Sequence, residues 1–211
     1  MKYYRFLDER NRDEVVKENS ERKYYQYSFG LEYWEPTEMM SGPWWMDHDY
    51  AEYEEISEAE ALALIGEQSE KYNQLLKMAV SMAEDAYKGK KDKYGKPYIE
   101  HPRAAAETLP NIKYKIIIYL YNISKDTSIT LEELKNKGFT YQIVNTVRLL
   151  AQRGPLTYEE YLNRLRLSDA GRAVKIAELK HSIEYMESNE MTDEDRVKTE
   201  KYKKSAAFLE S

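Results

Sequence analysis

The chain has 211 residues, of which 33% are charged and 42% apolar, with a formal net charge of −6 and no cysteine. This length and apolar share suit one mid-sized domain with a small appendage and exclude a disordered chain; the acidic balance excludes general nucleic-acid binding through a basic surface. Disulfides and thiolate metal sites are excluded, no apolar run approaches the roughly 20 residues that span a bilayer, and the N-terminus lacks the apolar stretch of a secretory signal, so a cytoplasmic protein without a membrane partner is expected.

Residues 1–56 read as a small strand-containing appendage. Tyr4 and Phe6 flank Arg5, and Tyr25, Tyr27 and Phe29 alternate with Gln26 and Ser28, the period of two of a strand with one buried face. The segment from Asn11 to Asn19 reads as a short helix or a polar loop. Gly30, Pro36 and Ser41-Gly42-Pro43 are turn signals, and Tyr50 to Ile56 predicts another strand. Tyr33, Trp34, Trp44 and Trp45 concentrate here, either as anchors for a protein partner or as cover for the sheet. Asp47-His48-Asp49 has metal-ligand residue types, but neighbours in an extended chain alternate faces and do not converge on one ion. The 20 tyrosines stand against four phenylalanines, a bias that suits half-buried rings with a hydroxyl in reach of a partner.

Residues 57–211 read as all-α. Ser57-x-x-Glu60 is a capping box, predicting a short helix stopped at Gly66 and a second one to about Tyr87 with Leu75, Met78, Met82 and Ala86 on its apolar face. His101-Pro102 opens a helix that closes before Pro110. Ile116 to Leu120 is apolar all round, so its helix should be central and buried. Thr130-x-x-Glu133 and Thr157-x-x-Glu160 mark later starts, with Ile143, Val144, Val147 and Leu150 striping the helix between them. Val174 to Leu179 lies in a helix reaching towards Tyr185, and a last helix runs from Asp193 to Leu209. The expected fold class is mainly α, a helical bundle with a small N-terminal α/β appendage.

Two segments carry a resemblance. The first is Ala86-Tyr87-Lys88-Gly89-Lys90, followed by Gly95-Lys96-Pro97-Tyr98-Ile99-Glu100-His101-Pro102; the second is Tyr121-Asn122-Ile123-Ser124-Lys125-Asp126-Thr127. They resemble the HD-domain phosphohydrolases, most closely the RelA/SpoT-type hydrolases that remove pyrophosphate from ppGpp, whose segments read A-H-x-G-Q-x-x-x-x-G-x-P-Y-I-x-H-P and L-x-H-D-x-x-E-D-T. The resemblance covers about residues 68–185 and implies an HD-domain-like helical bundle.

In that family two histidines and two aspartates hold a divalent, Mn²⁺-like metal whose bound water attacks the substrate. Carried over by position, the first histidine is Tyr87, the His-Asp doublet is Tyr121-Asn122, and the distal aspartate, in a K-x-A-D-L-x-x-N motif, is Glu178, with Ser182 at the Asn. The Glu of the Glu-Asp pair is Lys125, beside a retained Asp126. A phenol and an amide are poor ligands for a hard cation. The resemblance therefore implies a catalytically degenerate member with no metal or other cofactor that binds a small phosphorylated nucleotide or a protein partner in a regulatory role, with enzymatic activity left open. The alternative is an active, Mn-dependent phosphohydrolase with a rebuilt site. The expected remnant pocket is Tyr87, Tyr121, Asn122, Lys125, Asp126 and Glu178, with Lys88, Lys96 and Lys125 as phosphate-binding candidates; a solvated loop is the commoner explanation for the lysines of residues 88–96. His101 is expected to organise its turn.

Overall fold

The structure is a computed structural model that describes residues 1–9, 11–12, 14–37, 40, 52–151 and 154–211. The expectations for Trp44, Trp45, Asp47-His48-Asp49 and the 41–43 turn lie outside the described residues. The chain divides into two compact units, Met1–Gln74 and Leu75–Ser211.

The first unit carries an antiparallel sheet of five strands among the described residues, β1 (Lys2–Phe6), β2 (Val15–Glu18), β3 (Tyr24–Ser28), β4 (Tyr33–Pro36) and β5 (Tyr53–Ile56), in the order β4-β3-β2-β1-β5. The register sets Tyr4 opposite Val16 and Arg5 opposite Glu54. Tyr4, Phe6, Val16 and Met40 form a buried cluster with Tyr24 against it.

The 11–19 segment is neither helix nor polar loop at its end: it delivers β2. Its backbone turns where Asn11 N–H donates to Asp8 Oδ1 at 3.0 Å, and Val15 and Val16 are then 1% and 0% exposed between β1 and β3. Two β-branched residues buried between strands decide the matter against a helix. Trp34 lies against Tyr3 and Tyr27 at 6.1 and 5.4 Å between ring centroids, with Lys17 Nζ 4.6 Å from its own ring, so it covers the sheet; Tyr33 is 48% exposed.

Helix α1 (Glu58–Tyr87) begins in the first unit and continues into the second. Ser57 and Glu60 form the expected cap, Glu60 N–H donating to Ser57 Oγ at 3.2 Å and Ser57 N–H to Glu60 Oε2 at 2.8 Å. The stop at Gly66 does not occur. That glycine is exposed, and one glycine inside a helix costs only about 1 kcal/mol relative to alanine, less than the burial of Ile65 and Tyr72 on either side contributes. The buried stripe also differs from the expected one: it runs Tyr72, Leu75, Ala79, Ala83 and Tyr87, while Met78 is 38% exposed. Spacings of three and four allow both faces; the bulk of Tyr72 and Tyr87 selects this one.

The second unit adds α2 (Glu100–Glu107), α3 (Ile112–Asp126), α4 (Leu131–Asn136), α5 (Tyr141–Ala151), α6 (Tyr158–Arg166), α7 (Asp169–Glu187) and α8 (Asp193–Glu210). Helix α3 packs against α2, α5 and α7, and Ile116, Ile118, Leu120 and Ile123 are each 0% exposed, as an all-round apolar helix requires. Capping boxes start α4 at Thr130, α6 at Thr157 and α8 at Thr192. Among the described residues no helix is long and apolar enough to cross a membrane.

Candidate functional site

The site assembles from helices α2, α3, α7 and α8 and one loop of the second unit. Helix α3 ends with Tyr121, Asn122, Lys125 and Asp126. Helix α7 carries Glu178, His181 and Tyr185 at spacings of three and four, hence on one face. Between α1 and α2, the loop is closed by Asp92, whose Oδ1 accepts from the backbone N–H of Tyr94 at 2.8 Å and of Lys96 at 3.0 Å. Gly95 N–H donates to Asp92 C=O at 3.0 Å, with Gly95 at φ +80°, a left-handed conformation that costs glycine nothing. Lys91 then bridges to Pro97, and the Gly95–Pro102 frame enters α2.

At the positions that correspond to the resembling family's metal site, the side chains are engaged by neighbouring groups. Tyr87, 3% exposed, donates its hydroxyl to Asp126 Oδ2 at 2.8 Å and lies against Tyr98 with ring centroids 4.9 Å apart and planes tilted by 46°; burial first, then the Asp126 carboxylate, pushes its phenol far above the ordinary range. Tyr121 is 1% exposed. Asn122 donates its Nδ2 to Ile118 C=O at 2.7 Å, one turn back. Glu178 meets two ammonium groups, Lys175 Nζ at 2.7 Å from Oε2 and Lys125 Nζ at 3.8 Å from Oε1. Lys125 also lies 5.4 Å from the Tyr121 ring centroid. Burial alone would lower Lys175, but Glu178 together with the Tyr161 and Tyr158 hydroxyls outweighs it, and its pKa is raised.

Beside these residues opens a cavity of about 690 Å³. Asn122, Lys125 and Glu178 line it; Tyr87, Tyr121, Asp126, Lys88 and Lys96 are not among its lining residues. The two buried tyrosines form structure behind the wall, and the rings that reach the cavity are Tyr94, Tyr98, Tyr185 and Tyr202. Its lysines are Lys91, Lys93, Lys125 and Lys198. Lys96 instead holds its ammonium 4.8 Å from the Tyr185 ring centroid, and Lys88 is exposed.

A second set of residues, unforeseen except for His101, forms a chain along one side. Tyr185 donates its hydroxyl to Asp92 Oδ2, the same oxygen lies 3.1 Å from His101 Nε2, and His101 Nδ1 lies 3.3 Å from His181 Nε2. Burial pushes the Asp92 carboxyl up, but the donors from Tyr185, the Lys96 and Tyr94 backbone and His101 outweigh it and bring it down to about 2. Burial and the Asp92 carboxylate push the Tyr185 phenol up to about 12. His181 is held below the ordinary histidine value by burial and by His101. His101 thus buttresses the turn through Asp92. The sequence signal for His181 and Tyr185 was their spacing on the face of Glu178.

These donors do not fit a divalent cation. The carboxylate at the retained acidic position is already paired with two ammonium groups, whose charge opposes a metal ion in the same space, and Asn122 turns its Nδ2 to its own helix.

No family model matches the chain, and no curated protein matches its sequence. Its fold is similar to the solved structure of a metazoan ortholog of SpoT, a protein that hydrolyzes ppGpp and plays a role in starvation responses; the TM-score is 0.52 and the identity 16%, over 64% of this chain and 85% of that chain. At that identity the likeness concerns the backbone alone: the helical body has an HD-domain-like fold, distantly similar in structure to that protein.

Proposed function

We propose that this chain is a degenerate HD-domain protein that binds a small phosphorylated nucleotide in the cavity of its second unit, neutralising phosphate with ammonium groups, in a regulatory and not a hydrolytic role. The observation that carries the reading is Glu178 bracketed by Lys125 and Lys175 at 3.8 and 2.7 Å, a wholly protein-borne charge balance where the resembling hydrolases use a metal ion. The cavity, at about 690 Å³, has the size of small-ligand sites. It joins lysines suited to phosphate with tyrosine rings suited to a base. The structural likeness to a protein that hydrolyzes ppGpp makes ppGpp the first ligand to try.

The test is calorimetric titration of the purified chain with ppGpp, with and without Mn²⁺, while released pyrophosphate is assayed. Binding without turnover is the expected result, weakened by Lys125→Ala. Metal-dependent pyrophosphate release would overturn the reading and establish an active phosphohydrolase. Absence of binding would remove the nucleotide reading and leave a protein partner.

A further inference from the structure

With both imidazoles neutral, hydrogen positions in the Asp92–His101–His181 chain follow from the acceptors. An ionised carboxylate only accepts, so His101 carries its hydrogen on Nε2, towards Asp92 Oδ2 at 3.1 Å. Neutral imidazole has one donor and one acceptor nitrogen, so His101 Nδ1 accepts, and His181 Nε2, 3.3 Å away, donates to it. The remaining His181 nitrogen, Nδ1, is then a bare acceptor in a residue that lines the cavity, unsuited to an anion. Adding one proton reverses this. The charge can rest on His181, donating from both nitrogens, or move to His101 with His181 accepting at Nε2. In either case Nδ1 of His181 gains a hydrogen.

We propose that His181 is a phosphate-binding residue whose Nδ1 becomes a donor when the Asp92–His101–His181 chain takes up one proton, so that the cavity binds a phosphate group and a proton together. This rests on the anion-binding reading above and adds the residue and the linkage. A second proton is opposed, because two imidazolium rings would face each other at 3.3 Å.

The charged and titratable neighbours are compatible. From the loop come Asp92, Lys91 and Lys93 with Tyr94 and Tyr98, and from α2 comes His101. Helix α3 offers Lys125, and α7 offers Glu178, Glu184 and Tyr185, with Glu178 already paired to lysines and Glu184 favouring a charged His181. Helix α8 offers Glu194, Asp195, Lys198 and Tyr202, with Asp195 paired to Lys93 at 2.5 Å. Burial disfavours a charge on His181 in the free protein, and an arriving anion supplies the balancing charge.

Inorganic sulfate is the probe, because it stays a dianion and cannot carry the proton itself. Its affinity for the full chain should rise by up to about tenfold per pH unit between about pH 8 and 6, the limit for one linked proton. In His181→Asn that slope should vanish while the weaker binding at pH 8 remains. Nitrogen-15 NMR of wild-type histidines gives a readout independent of any variant's folding: sulfate should convert His181 Nδ1 from bare to protonated. Flat pH dependence, a slope that survives in His181→Asn, or an Nδ1 unchanged by bound sulfate would each overturn the role of His181 alone. Absence of sulfate and ppGpp binding at every pH would overturn the anion-binding reading and this inference with it.

Discussion

Lys175→Met tests the charge balance behind the site. Lys175 is 7% exposed, with Nζ 2.7 Å from Glu178 Oε2 and 5.8 and 6.0 Å from the Tyr121 and Tyr161 ring centroids. Removing one partner of a fully buried ion pair costs about 3–5 kcal/mol. Here Glu178 retains Lys125 at 3.8 Å and a 19% exposed side chain, so the reduced cost is about 2 kcal/mol. With a urea dependence of about 2 kcal/mol per molar, the unfolding midpoint of the helical unit should fall by about 1 M, followed by far-ultraviolet circular dichroism. Lys175→Met combined with Glu178→Leu removes both charges and should recover most of the loss. The pH sign follows from the raised pKa of Lys175: its stabilisation is complete below the unfolded lysine value of about 10.4 and is lost as pH climbs through the higher folded value. An unmoved midpoint in the single variant, or a double variant as unstable as the sum of the singles, would refute the reasoning.

Ile116→Ala, at a position 0% exposed in α3, should cost about 3–4 kcal/mol in the same urea titration through the cavity it leaves. Thr157→Ala should cost about 1 kcal/mol and fray the first turn of α6, seen as faster amide exchange there, because the Glu160 N–H loses its acceptor at 3.2 Å. Gly95→Ala has open space for the added carbon, so its expected cost of about 1–2 kcal/mol is purely the left-handed backbone; an unchanged thermal midpoint would contradict it. Asp92, held down to about 2, stabilises the fold fully above the unfolded value of about 3.9 and loses that contribution as pH falls towards 2. Asp92→Asn should therefore flatten the acid limb of a melting-temperature profile.

What the sequence made legible was mostly local. Capping boxes at Ser57, Thr130 and Thr157 depend on residues three apart, and all three form. The all-apolar run from Ile116 to Leu120 announced the central helix because nothing polar was left to face water. Misreadings arose where distant packing decided. Gly66 is punctuation only if nothing holds the helix on both sides, and Val15-Val16 is a strand only because β1 and β3 flank it. In the site, motif spacing brought Asn122, Lys125 and Glu178 to one cavity, but Tyr87 and Tyr121 were read by position and their depth was invisible. The His101–His181 contact spans 80 residues, and no periodicity joins them. The available clue was that Glu178, His181 and Tyr185 share a helical face.

Glu178 receives its counter-charge from groups covalently attached to the same polypeptide. A charge of that kind has no dissociation constant: it cannot be stripped by a chelator, diluted away, or made contingent on the supply of an ion. Below the pH at which the lysines lose their protons it is attenuated only by salt, over a Debye length of about 8 Å at physiological ionic strength. Lys125, with its side chain 30% exposed, is open to that attenuation, whereas Lys175, with its side chain 9% exposed, is sheltered from it. The electrostatic set point at Glu178 is thus written half in a residue that ionic strength can tune and half in one that it cannot.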